Sequence, residues 1–239
     1  AFFMLRTFGY QQFDVRLSVR DLTKKEKYIG EDNIWETAEA ALHGALKLRE
    51  VDYQVDPGEA KFYGPAIDIK IRDALDREWQ GPTIQVDFNF PERFDLSFVG
   101  EDGKEHRPVM VHRTVLGSME RFVGGLIEHY AGAFPVWLSP VQVQVIPIAD
   151  RHHEYASAVL KRLQNADLRA KVDDGAERMN AKVRNAQLQK IPYMLIIGDR
   201  EMKADSVSVR LRSGEDLGAK PLDEFIAMAQ KAIAEKANV

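Results

Sequence analysis

Residues 109–122, VMVHRTVLGSMERF, bring a histidine, a glycine–serine step and an arginine into one short stretch. A β-rich apolar run ends at His112, and Arg121 falls early in an apolar helical pattern. The free N–H groups and macrodipole of a helix N-terminus favour anions there. Such a stretch can border a cavity that holds a triphosphate. His112 has the chemistry of a metal ligand or a proton carrier. No second histidine stands at a metal spacing from it, so a structural histidine is its commoner role. Arg121 can fork onto phosphate oxygens, and an ion pair with a neighbouring carboxylate explains it equally well.

A second group lies upstream. Gln80, Gln85 and Asp87 form a polar strand face with Tyr63 nearby, suited to a small polar ligand or to plain solvent exposure. Further on, Arg178, Lys182, Arg184 and Lys190 share one segment, which fits a phosphate backbone or a solvated helix face. Arg210 and Arg212 alternate, which predicts that both point to one side of a strand. His152 and His153 open a helix and are expected to be solvated, while His43 and His129 sit incidentally on amphipathic helices. No P-loop or dinucleotide fingerprint is present.

The elements that must position these residues read clearly. Apolar spacing over 35–49 predicts a helix, capped by Asp32 or Asn33. Residues 66–71 and 83–90 alternate apolar and polar as half-buried strands joined by turn material. A further strand begins at 108–111, and 115–130 reads as a helix with Leu116, Met119, Phe122, Val123, Leu126, Ile127 and Tyr130 in one stripe. The first half is therefore an antiparallel sheet with helices. The proline-flanked segment 134–140 marks a boundary. After it, strands at 141–148, 168–172, 193–197 and 207–211 alternate with helices at 154–164, 177–190 and 221–234. That alternation predicts a three-layer α/β domain.

Composition narrows the class. The 239 residues suffice for one large domain or two small ones. A hydrophobic content of 45% and a charged content of 29% are ordinary for a soluble domain. No apolar run is long enough to span a membrane. With no cysteine, the chain has neither disulfides nor thiolate ligands, and the cytoplasm is the default compartment. The net charge of −4 leaves nucleic-acid binding to local patches. The first residues read like a domain interior, so a piece of a longer chain is expected.

In this order, FYGPAIDI (62–69), TIQVDFNFPERFDLSFVGEDG (83–103), VMVHRTVLGSMERF (109–122), FPVWLSPVQVQVIPI (134–148) and IPYMLIIGDRE (191–201) resemble the C-terminal part of bacterial-type threonyl-tRNA synthetases. The resemblance runs from about Gly9 to the C-terminus, and LGSMERF is similar to motif 3 of class II synthetases. It implies an α/β and α+β fold. The C-terminal part of a class II catalytic domain, with a partial antiparallel sheet, is expected over 1–134. A three-layer α/β anticodon-binding domain is expected over 140–239. It further implies a threonine–tRNA ligase that uses ATP with Mg2+, threonine and tRNA(Thr). That enzyme is a cytoplasmic homodimer with no membrane association.

By the same resemblance, Arg121 is the catalytic arginine on the ATP γ-phosphate, and Gln80 lies near the adenylate. Tyr63, Gln85 and Ser118 line the threonine side. His112 is one ligand of a Zn2+ whose other two, a cysteine and a histidine, are expected before Ala1. Lys190 would lie near the anticodon backbone, with Glu201 and Arg210 on its bases. Three positions depart from the family's usual residues: Ala66 for lysine, Gly81-Pro82 for Cys-Gly, and Gly175-Ala176 for Arg-Asn. The family's motifs 1 and 2 and its editing domain have no counterpart in these residues, so alone they should bind tRNA weakly and leave threonine unactivated. A non-catalytic, nucleic-acid-binding or regulatory relative is the other reading.

Overall fold

Alternating side chains and glycine-marked turns give the first half its sheet. The computed structural model describes residues 1–239, divided into units Ala1–Glu128 and His129–Val239. In the first unit, α1 (Phe2–Thr7) precedes β1 (Phe13–Val19), α2 (Asp32–Leu48) and β2 (Gln54–Pro57). Then come β3 (Ala66–Arg72), β4 (Glu78–Asp87), α3 (Asn89–Arg93), the short pair β5 (Phe98–Val99) and β6 (Glu105–His106), β7 (Met110–Thr114) and α4 (Met119–His129).

The strand order is β2-β1-β3-β4-β7, antiparallel except for the β1–β2 pair. That parallel pair follows from α2, which carries the chain back to the same end of the sheet. Alternation gives the sheet one apolar face, including Val15, Leu17, Ile67, Ile69 and Val86, all buried. Trp35, Ala38, Leu42 and Leu46 supply the buried side of α2.

The second unit runs β8 (Val143–Pro147), α5 (His153–Asn165), β9 (Ala170–Val172), α6 (Met179–Leu188), β10 (Tyr193–Ile197), α7 (Asp199–Lys203), β11 (Ser206–Leu211), β12 (Asp216–Pro221) and α8 (Leu222–Ala234). Its sheet order is β12-β11-β10-β8-β9, with β9, β8 and β10 parallel. Ala156, Val159 and Leu163 of α5 and Phe225 and Ala229 of α8 join one core with Val143, Val145 and Leu195. Val183 and Ala186 of α6 form a second core with Ile146, Met194 and Ile196. Helices thus cover both sheet faces, the three-layer arrangement expected from the alternation.

Several local expectations are corrected. The helix foreseen over 115–130 starts at Met119, because Gly117 adopts φ +70° and breaks the helical path before it. Only Phe122 and Leu126 of its apolar stripe are buried within α4, while Met119, Val123 and Ile127 are exposed. The N-cap position of α2 is Glu31, because Asp32 sits inside the first turn and ion-pairs Arg20 and Lys25. Strand β4 ends at Asp87, whose carboxylate accepts the N–H groups of Asn89 (2.8 Å) and Phe90 (3.0 Å) and turns the chain. Phe88 and Phe90 therefore leave the strand pattern.

Lys182 drops out of the basic set, since it is buried and its Nζ donates to the Asp173 carbonyl at 3.0 Å. His152 is 1% exposed rather than solvated, because Asp199 and the Ala149 N–H occupy its two ring nitrogens. Arg212 lies past the end of β11 and donates to the Phe134 carbonyl, so it does not continue the alternation of Arg210. No helix is long and apolar enough to cross a membrane.

Gly64 shows how tightly the first unit holds its polar loop. A Cβ built there would stand 1.8 Å from the Val86 carbonyl oxygen of β4. Gly64→Ala must push the loop carrying Tyr63 off the sheet. Overpacking of this kind costs on the order of 1–3 kcal/mol. Chemical denaturation should register that loss; an unchanged midpoint would mean that the contact relaxes freely.

Candidate functional site

The register builds the polar face of the first sheet. Ser18, Ala66, Gln85 and His112 lie in one cross-strand row, and Arg16, Asp68, Thr83 and Thr114 in the next. Tyr63 reaches this face from the loop held by Gly64, and its hydroxyl donates to Gln85 Oε1 at 2.6 Å. Burial, and then the nearby Asp87 charge, push the Tyr63 pKa up, so the phenol stays protonated and keeps donating. Tyr63 and Gln85, picked together from sequence, and His112, picked apart from them, thus lie in one cluster.

His112 is oriented from behind. Its Nε2 meets Asp87 Oδ2 at 2.9 Å, and the Asp87 side chain is 1% exposed. With Nε2–H donating to a carboxylate, Nδ1 presents the lone pair, the usual arrangement of a metal-bound histidine. A lone oriented imidazole fits one ligand position. No group of three His, Cys, Asp or Glu side chains here could hold an ion. The residues of this chain therefore do not complete a metal site, and no step is assigned to one.

The other cluster lies where β4 meets α4. Opposite Ile69, β4 carries Gly81-Pro82: Pro82 has no N–H for the ladder, and a Cβ on Gly81 would stand 2.9 Å from the Ile69 carbonyl. The register slips between Asp68 and Lys70, which sets Gln80 opposite Lys70. The Gln80 amide is then fixed at both ends, accepting from Lys70 Nζ (2.7 Å) and donating to Asp68 Oδ1 (2.8 Å). Ser18 Oγ holds the other Asp68 oxygen at 2.6 Å.

Ser118 immediately precedes α4, and its hydroxyl donates to Glu120 at 2.8 Å. Arg121 is exposed and makes no ion pair, which removes the alternative of a structural salt bridge. Gln80, Ser118 and Arg121 line one cavity of about 200 Å³, with Trp79 and Phe122 in its walls. Gln80 also borders a polar cavity of about 450 Å³, lined by the cations Arg16, Lys61 and Lys70 and by the carboxylates Asp56, Glu59, Asp68 and Glu78.

Sequence reasoning missed Asp87 as the orienter of His112 and Lys70 as the neighbour of Gln80. Asp87 was visible only as a polar position in TIQVDF. Lys70 carried no signal, because its proximity to Gln80 depends on the bulge.

In the second unit the three selected residues stay apart. Lys190 ends the turn after α6 with φ +59°, before β10 begins. Glu201 lies beyond the other end of β10, where its Oε2 accepts the Gly198 N–H at 2.9 Å. Arg210 lies opposite Met194 and pairs with Asp216 at 3.1 Å.

Beside Glu201, Arg151 forks onto Asp199 (2.8 and 2.7 Å) and His152 Nε2 lies at 2.9 Å from the same carboxylate. This ties the turn after β8 to the turn after β10. First Arg151 and then His152 hold the Asp199 carboxyl well below the usual carboxylate range. A group whose folded pKa is depressed stabilises the fold above its unfolded pKa of about 3.9. That contribution disappears as pH falls through the folded value. Arg151→Ala should therefore narrow the difference in unfolding midpoint between pH 5 and pH 2.5; an identical difference in both proteins rejects the assignment.

Two family models match the chain. The family described as tRNA synthetase class II core domain (G, H, P, S and T) matches residues 3–130. The family described as anticodon binding domain matches residues 142–232. Among curated relatives, Threonine--tRNA ligase of Dehalococcoides mccartyi (strain ATCC BAA-2266 / KCTC 15142 / 195) is 56% identical over 238 residues, covering 100% of this chain and 40% of the relative. The enzyme of the same name from Sulfurihydrogenibium sp. (strain YO3AOP1) is 50% identical over 97% of this chain and 36% of the relative. The chain thus spans about two-fifths of the length of these relatives. A crystal structure of the RNA binding domain of Threonyl-tRNA synthetase from Cryptosporidium parvum Iowa II superposes with a TM-score of 0.88 at 36% identity. It covers 97% of this chain and 57% of that one. The core match extends over more than half of these residues, and the chain belongs to the class II tRNA synthetase core family of the G, H, P, S and T group.

Proposed function

We propose that the protein carrying this chain is a threonine–tRNA ligase, an enzyme that joins threonine to tRNA(Thr) through threonyl-adenylate. One observation carries the proposal: two clusters, Tyr63–Gln85–His112 on the polar sheet face and Gln80–Ser118–Arg121 where β4 meets α4, lie in a chain 50–56% identical to enzymes of that name. That identity favours the ligase over a non-catalytic relative.

In the first half-reaction the threonine carboxylate attacks the α-phosphorus of ATP. An acyl–phosphate bond forms, and pyrophosphate leaves with the electron pair of the α–β bridge. Arg121, unpaired at the start of α4, binds the departing phosphates together with the helix N-terminus. Mg2+ accompanies the nucleotide. Gln80 borders the same cavity and fixes the nucleotide beside Arg121. Tyr63, Gln85 and Ser118 hold the amino acid. His112 would hold one position of a zinc ion, which would supply Lewis-acid binding of the amino group and hydroxyl of threonine. A site built around a hydroxyl penalises an isostere that lacks it.

In the second half-reaction a ribose hydroxyl at the tRNA 3′ end displaces AMP from the acyl carbon. We further assign residues 1–134 to the catalytic part and 140–239 to the anticodon-binding part. Lys190 lies near the anticodon backbone, and Glu201 and Arg210 read its bases. Homodimerisation and a cytoplasmic location complete the reading. Threonine-dependent ATP–pyrophosphate exchange by the protein carrying this chain, with metal analysis alongside, is the test. Absence of exchange and of zinc sinks it.

A further inference from the structure

The cations around Gln80 fall into two kinds. Arg16 is neutralised by Asp56 (3.5 Å) and Glu78 (3.4 Å), and Arg72 by Asp14 (2.9 Å), Asp76 (3.0 Å) and Glu78 (3.3 Å). Lys70, Arg121 and Lys61, which also lines the Lys70 cavity, make no ion pair. Lys70 is half-buried and donates to the neutral Gln80 amide instead. One of its three donors is used there, and two remain. Ala66 on the same strand face carries no charge, Asp68 is held by Gln80 and Ser18, and Arg72 is ion-paired, so Lys70 is the unpaired cation that β3 presents.

Gln80 lies between the two, since it lines the cavity of Arg121 and the polar cavity of Lys70. The bulge at Gly81-Pro82 creates this juxtaposition. An anion resting on Gln80 therefore meets a free cation on either side, with the N-terminus of α4 at one end.

We propose that Lys70 is a phosphate-binding residue of the reaction site, held by Gln80 and acting with Arg121 on a phosphate group of the nucleotide substrate or of the RNA 3′ end. The inference rests on the ligase reading for its substrates, while its geometry stands on the Lys70–Gln80–Asp68 chain alone. Lys70→Met keeps the apolar stem and removes the charge; Lys70→Arg restores a cation.

In the protein carrying this chain, Lys70→Met should lower kcat of threonine-dependent ATP–pyrophosphate exchange by roughly 100-fold. The KM for threonine and the thermal midpoint should stay at wild-type values, and Lys70→Arg should recover most of the loss. A loss confined to transfer onto tRNA, with exchange intact, identifies the RNA phosphate as the partner and supports the proposal equally. Wild-type rates in both half-reactions for Lys70→Met, alongside an impaired Arg121→Ala, overturn it. If the wild type shows no exchange, the ligase reading has failed and tripolyphosphate titration decides for Lys70 alone. A Kd about tenfold weaker in Lys70→Met supports it, and equal values overturn it.

Discussion

Arg121→Ala should lower threonine-dependent ATP–pyrophosphate exchange by about 100- to 1000-fold while leaving the fold intact. The fold is spared because the guanidinium is exposed and forms no ion pair, so its removal strands no partner. The chemistry suffers because negative charge builds on the leaving pyrophosphate, and a preorganised cation is worth most where charge develops. Arg121→Lys keeps the charge but loses the planar fork, so it should recover only part of the rate. Stopped exchange with an unchanged melting curve is the expected pair of results. A variant within threefold of wild type would remove Arg121 from the site.

Asp87→Ala should damage both stability and amino-acid binding, and Asp87→Asn separates the two. The carboxylate is buried and accepts three hydrogen bonds, from Asn89 N–H, Phe90 N–H and His112 Nε2. Its removal leaves buried donors unsatisfied, at about 1–3 kcal/mol for each group. The loss should appear in the unfolding transition of the first unit, since the two units need not unfold together. Asp87→Asn retains an acceptor for the two backbone N–H groups, so most stability survives. It removes the charge behind His112 and with it the bias toward an Nε2–H tautomer. Loss of an orienting carboxylate typically weakens metal affinity 10- to 100-fold. Zinc content and the KM for threonine should therefore shift in Asp87→Asn while the midpoint barely moves. Wild-type zinc and KM values in that variant would falsify the orienting role.

The site was partly legible in advance. His112, Arg121 and Gln85 are polar residues standing out within apolar periodic segments, while Gln80 and Tyr63 lie outside such segments and rest more on the resemblance. Their grouping was not legible. Tyr63 meets Gln85 only because Gly64 lets the loop lie on Val86, and Gln80 meets Lys70 only because β4 bulges at Gly81-Pro82. The buried polar groups share a cause. His152 was expected to be solvated, and Lys182 and Asp87 were left between a ligand role and solvent exposure, because polar side chains usually face water. Each is buried because a partner distant in the chain satisfies it: Asp173 for Lys182, Asp199 for His152, and His112 for Asp87.

The sequence by itself determined the order of the longer elements from α2 onward, the change from an antiparallel sheet to strand–helix alternation near 134–140, and the family, while β1, β2, α7 and β12 went unread. These depend on local periodicity and on ordered motifs, which are properties of neighbouring residues. Tertiary structure alone decided which polar residues touch, which cations remain unpaired and which carboxylate orients the histidine. Those facts depend on strand register, where a slip of one residue exchanges every partner across the sheet. The stretch 109–122 illustrates both. Its residues predict an anion-binding helix start, and β7 placed His112 in one cluster while α4 placed Arg121 in the other.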